Sequence, residues 1–145
     1  MVDDLYQETI IDHSKRPRNF HSMEDANRQA EGYNPLCGDK LKLFLRMEGD
    51  VVKEASFLGA GCAISTASAS LMTESVKGKN REQALKLLDE FHDLLTNESP
   101  AAADLGKLVV FSGVREYPAR VKCATLAWHT LEAALEGTQE KVSTE

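Results

Sequence analysis

The chain has 145 residues, 42% apolar and 28% charged, with a formal charge of −6. This is the size and composition of a single globular domain (residues 1–145) able to bury a sizeable core. The acidic balance, with no basic arm, aromatic run or Cys-x-x-Cys knuckle, argues against a nucleic-acid partner, and no stretch has the apolar length needed to enter a membrane.

The elements follow in chain order. Leu5, Ile10 and Ile11, with Tyr6 and Thr9, form one apolar stripe behind Asp3 and Asp4, which predicts an N-terminal helix. Pro17 in Lys15-Arg16-Pro17-Arg18-Asn19 ends it. The same N-terminal run lacks a charged region ahead of an apolar core. Together with only three cysteines, this predicts a reducing, cytoplasmic setting.

Residues 26–58 read as β-structure. A weaker strand is expected near Ala30–Tyr33, and Asn34-Pro35 marks a loop. Leu41, Leu43, Leu45 and Met47 alternate with Lys42, Phe44, Arg46 and Glu48. Glu48-Gly49-Asp50 then turns the chain into a return strand from Val51 to Leu58.

After Cys62 the composition changes. AISTASASLMTESVKGK predicts a helix of small residues with Ile64, Ala67, Leu71 and Ser75 on one face, ending near Gly78. Asn80 is placed to cap a second helix whose stripe is Ala84, Leu87, Leu88, Phe91 and Leu95. The mixed segment 96–118 holds a short helix from Asp104 to Phe111, punctuated by Gly113 and Pro118. A long helix is expected from Ala119 to Glu136, with Pro118 in its first turn, Gly137 as its C-terminal cap and a frayed polar tail beyond. Strands and helices are segregated along the chain, which predicts an α+β fold with an antiparallel sheet.

The chemistry-bearing residues are three isolated cysteines, Cys37, Cys62 and Cys123. Each falls at the end of an element, where sites are commonly built. Gly38 lets the Cys37 thiol and the Asp39 carboxylate turn toward one centre. Gly59-Ala60-Gly61 lets backbone approach closely, and Cys62 meets the N–H groups of a helix start. Arg120 and Lys122 put positive charge beside Cys123. Three thiolates and a carboxylate suit tetrahedral Zn²⁺, or iron in a cluster. Asp39 would be the hard, exchangeable ligand of such a set.

Spacing alone leaves two readings open, because the wide intervals match no short zinc motif: three separate buried thiols, or one shared site. Among the histidines, His13 reads as a capping or surface residue, His21 as a loop residue and His92 as part of a charged helix face. His129 is expected to face away from Cys123. Trp128 reads as core, and the serines after Cys62 read as a packing device, since no Gly-x-Ser-x-Gly elbow is present.

Four blocks in order, LYQETIIDHSKRPRNF, NPLCGDKLKLFL, GAGCAISTASASLM and PARVKCATLAWHTLEAAL, resemble the U-type iron–sulfur assembly proteins, the IscU and NifU N-terminal family. The resemblance implies a three-stranded antiparallel sheet packed by about five or six helices, as in SufE/NifU-like folds. It also implies a metal site of Cys37, Asp39, Cys62 and Cys123. Members that act as scaffolds carry His just before the third cysteine, where this chain has Lys122, and they have a shorter interval between the second and third cysteines. Both departures look like the SufU branch.

That branch implies a zinc-bound sulfur carrier, a sulfurtransferase, whose Cys37 accepts persulfide sulfur from a SufS-type cysteine desulfurase. Asp39 would assist, and Arg120 would steady the anionic sulfur. The sulfur then passes to downstream iron–sulfur assembly or acceptor proteins. The alternative implied by the wider family is a scaffold holding iron or a transient [2Fe–2S] cluster on Cys37, Cys62 and Cys123.

Overall fold

The computed structural model describes residues 2–35, 38–96, 105–137 and 142–143. Helix α1 (Val2–Lys15) leads into strands β1 (Arg28–Asn34), β2 (Asp39–Glu48) and β3 (Val51–Ala60). Helices α2 (Ala63–Val76) and α3 (Arg81–Thr96) follow. A 3₁₀ helix (Gly106–Glu116), α4 (Pro118–Glu136) and a short strand β4 (Val142–Ser143) complete the order. The expected α+β fold is present, with three antiparallel strands packed by four α-helices and the 3₁₀ helix among the described residues.

The sheet order is β3-β2-β1-β4. Strand β2 is central because its pleat buries Leu41, Leu43 and Leu45 on one face, as the alternation requires. The β2–β3 hairpin turns through Gly49-Asp50, with a register shift between Arg46 and Met47. Strand β1 is longer than the sequence suggested, seven residues paired with β2 from Arg28↔Leu45 to Asn34↔Asp39. Its sequence RQAEGYN carries little apolar alternation, so the pairing partner decides it. In the tail that the sequence suggests is frayed, Val142 and Ser143 pair in parallel with Gly32 and Tyr33 at the open edge of β1, and the other residues beyond Gly137 lie outside the described residues.

Helix α2 is buried nearly all round, not on the single expected stripe. Ser65, Ala67, Ser68, Ala69, Ser70, Leu71, Met72, Thr73 and Val76 are all covered, because α1, α4 and β3 surround it. Its small side chains make this approach possible, and its serines satisfy their neighbours. Ser68 Oγ donates to the Ala124 carbonyl (2.5 Å) and accepts from Trp128 Nε1 (3.2 Å). Trp128 in turn stacks on Phe91, ring centroids 4.6 Å apart, and Phe91 meets Phe111 edge-on at 5.6 Å. This aromatic cluster ties α3, the 3₁₀ helix and α4 together and confirms Trp128 as core.

The short helix expected over 104–111 is instead a run of 3₁₀ turns continuing through Gly113, with Leu108, Val110, Phe111 and Val114 inward. Asp104 lies outside the described residues. No helix among the described residues is long and apolar enough to cross a membrane.

Candidate metal centre

The site forms where the ends of the three long strands meet the starts of α2 and α4. Asp39 is the first residue of β2 and is fully buried, so its charge requires partners. Its Oδ1 accepts the Cys62 backbone N–H at 2.8 Å. Its Oδ2 therefore faces the thiols, 3.9 Å from Cys62 Sγ. Cys62 follows β3 and caps α2, its sulfur accepting the Ser65 N–H at 3.4 Å. The helix start thus offers N–H groups to this thiol, as the sequence suggested. Cys123 is buried in the second turn of α4.

One ligand atom from each of Asp39, Cys62 and Cys123 lies within 4.8 Å of the other two. Donors on one tetrahedral Zn²⁺ stand roughly 3.3–3.8 Å apart, so a closure of about an ångström would bring these three onto one ion. Two sulfurs and one oxygen also match that ion's preferences, and the donor set fits a thiophilic metal. Cys37, the fourth residue of the expected set, lies outside the described residues. Its neighbour Gly38 has a φ of 72° and donates its N–H to the Asn34 carbonyl at 2.8 Å, which closes the turn between β1 and β2.

Two residues do more at the site than their local sequence shows. Gly61 belongs to the run expected to let backbone approach the centre, and a Cβ there would sit 2.5 Å from Asp39 Oδ1, so the absent side chain is what lets the carboxylate reach the Cys62 N–H. In the sequence Asn34 reads as a loop marker beside Pro35. It is instead the last residue of β1, fully buried and directly opposite Asp39. Its Nδ2 lies 3.5 Å from Asp39 Oδ2 and 3.5 Å from Cys123 Sγ. Only the β1–β2 register reveals it.

The remaining candidates lie outside this three-residue cluster. The Arg120 guanidinium lies over the Tyr117 ring at 4.6 Å on the exposed start of α4, one turn before Cys123. Lys122 is half-buried. His13 is not at the surface as expected. It is 2% exposed, with Nδ1 2.7 Å from Ser70 Oγ and Nε2 3.8 Å from Glu74, and it clasps α1 to α2. Burial pushes its pKa below 6.5, with Arg18 adding to the effect. His21 is exposed. His129 faces His92 across α3 and α4, ring centroids 6.2 Å apart, and burial followed by His92 lowers its pKa.

Comparison with known proteins agrees with this geometry. The NifU-like N terminal domain family matches residues 5–124. The chain is 44% identical over 132 residues to the zinc-dependent sulfurtransferase SufU of Bacillus subtilis, covering 90% of this chain and 89% of that protein. It is 41% identical over 135 residues to the iron–sulfur cluster assembly scaffold protein IscU of Streptococcus pyogenes, covering 92% and 84% respectively. The crystal structure of FiSufU from Fervidobacterium islandicum, described as a candidate iron–sulfur cluster assembly scaffold for the SUF system, superimposes with a TM-score of 0.85. That protein is 37% identical, and the match covers 91% of this chain and 97% of the other. With the family match spanning both described cysteines, Asp39 and the strands between them, the chain belongs to the NifU-like N-terminal domain family.

Proposed function

We propose that the chain is a zinc-bound sulfur carrier of iron–sulfur cluster assembly. The convergence of Asp39, Cys62 and Cys123 on one point carries this reading, since a buried carboxylate, a buried thiol and a half-buried thiol brought together from three distant segments suit a shared ion. The similarity to a sulfurtransferase named as zinc-dependent supports it. Cys37, Asp39, Cys62 and Cys123 hold the metal. Bound there, Zn²⁺ keeps its thiol ligands deprotonated and ordered. Asp39, the hard donor among sulfurs, is the ligand most easily exchanged.

The partner is a cysteine desulfurase of the SufS type carrying a persulfide, in the reducing cytoplasm. Docking of the partner would displace Cys37 from the ligand set, and the freed Cys37 thiolate attacks the outer sulfur of that persulfide. A new S–S bond forms at Cys37 as the partner's S–S bond breaks, the partner leaves as a thiolate, and no net oxidation occurs. Arg120, three residues before Cys123 and so on the same face of α4, steadies the anionic sulfur. Downstream assembly or acceptor proteins then take the sulfur. Mass spectrometry after incubation with desulfurase and cysteine tests the reading. One added sulfur atom, lost in Cys37→Ala, is expected. Undiminished transfer in that variant overturns the assignment of Cys37.

The similarity to relatives named as IscU scaffolds favours a second reading, in which Cys37, Cys62 and Cys123 carry a [2Fe–2S] cluster as cargo. Lys122, in place of a histidine, weighs against it. Anaerobic reconstitution with visible absorption and iron analysis separates the two: a stable cluster favours the scaffold.

A further inference from the structure

We infer that Asn34 is the positioning residue of the metal centre, its side-chain amide donating to both Asp39 and Cys123 and setting these two ligands for the ion. The inference rests on the four-ligand reading above. Asn34 Nδ2 lies 3.5 Å from Asp39 Oδ2 and 3.5 Å from Cys123 Sγ. The first is a long hydrogen bond, and the second is ordinary for the larger sulfur acceptor.

The amide orientation follows from its neighbours. As ligands of the ion, Asp39 would be a carboxylate and Cys123 a thiolate, and both forms only accept. An Asn34 carbonyl oxygen turned toward them would face two anions, whereas the NH₂ group has one hydrogen for each. With Oδ1 of Asp39 already held by the Cys62 N–H, the Asn34 amide fixes the remaining oxygen. It also ties the start of β2 to α4, the two elements that carry these ligands.

Asn34 is fully buried and opposite Asp39 in the sheet register, so its donor cannot be replaced by water without rearrangement. Its backbone carbonyl holds the Gly38 N–H independently of the side chain. Replacing the side chain therefore leaves the turn's own hydrogen bond intact. Partners that orient metal ligands in this way are worth about ten- to a hundredfold in metal affinity.

The test uses full-length Asn34→Ala and Asn34→Leu, the second retaining the branched shape without a donor. Zn²⁺ affinity is measured by chelator competition, and the sulfur-to-metal charge-transfer band of the Co²⁺-substituted protein is recorded. Circular dichroism of the metal-free proteins reports folding. The expected result is native-like metal-free spectra, Zn²⁺ binding weakened about ten- to a hundredfold, and a shifted Co²⁺ band in a variant that folds. Wild-type affinity and an unchanged band in either folded variant overturn the role of Asn34 alone. Wild-type protein that takes up neither metal overturns the four-ligand reading and this inference with it.

Discussion

Gly61 carries a constraint out of proportion to its size. Its missing Cβ leaves room for Asp39 Oδ1, which a methyl group would meet at 2.5 Å. Gly61→Ala should move the carboxylate, lowering Zn²⁺ affinity at least tenfold while overpacking costs about 1–3 kcal/mol of stability. Chelator competition and urea unfolding measure the two effects separately. His13 supplies a second prediction. Burial holds its folded pKa below its ordinary 6.5, so between those values the unfolded chain binds more protons than the native one. Stability therefore rises with pH across that window, is fully present above 6.5 and is lost as pH falls from 6.5 to the lower folded value, with His129 adding the same sign. In metal-free protein, the urea midpoint should drop from pH 7.5 to pH 5.5, and the drop should be smaller in His13→Gln.

At the scale of elements, α2 and α3 show two ways of making a helix. Helix α3 is amphipathic and announces itself. Asn80 Oδ1 accepts the Gln83 N–H at 2.8 Å while Gln83 Oε1 accepts the Asn80 N–H at 3.0 Å, a reciprocal capping pair. Asn80→Ala should cost about 1 kcal/mol in chemical denaturation. Helix α2 has too few large residues to hold itself by a stripe, and its stability comes from α1, α4 and β3 around it. Ser68 is the joint with α4. Ser68→Ala removes the donor to Ala124 and the acceptor for Trp128 and should cost about 1–3 kcal/mol, visible in thermal unfolding followed by tryptophan fluorescence.

At the scale of the whole molecule, the candidate ligands come from the start of β2, the cap of α2 and the second turn of α4. An ion holding all of them would cross-link elements far apart in sequence, so binding should stabilise the native state alone. At free Zn²⁺ one hundred times its dissociation constant the gain is about 2.7 kcal/mol. Calorimetric melts with and without chelator should differ accordingly, and Asp39→Ala should narrow the difference.

Local signals in the sequence predicted the elements well: β2 from alternation, β3 as the return strand after the Gly49 turn, α3 from its stripe, α4 between Pro118 and Gly137. These signals are local, and local sterics and hydrophobic spacing decide them. The ordered blocks around the cysteines likewise predicted the family. Four features were decided only by tertiary structure: the full length of β1, the return of Val142–Ser143 to its edge, the burial of His13, and the seat of Asn34 between Asp39 and Cys123. Each depends on a partner far along the chain. Strand register and helix packing determine which side chains meet, and no short-range pattern in the residues encodes that choice.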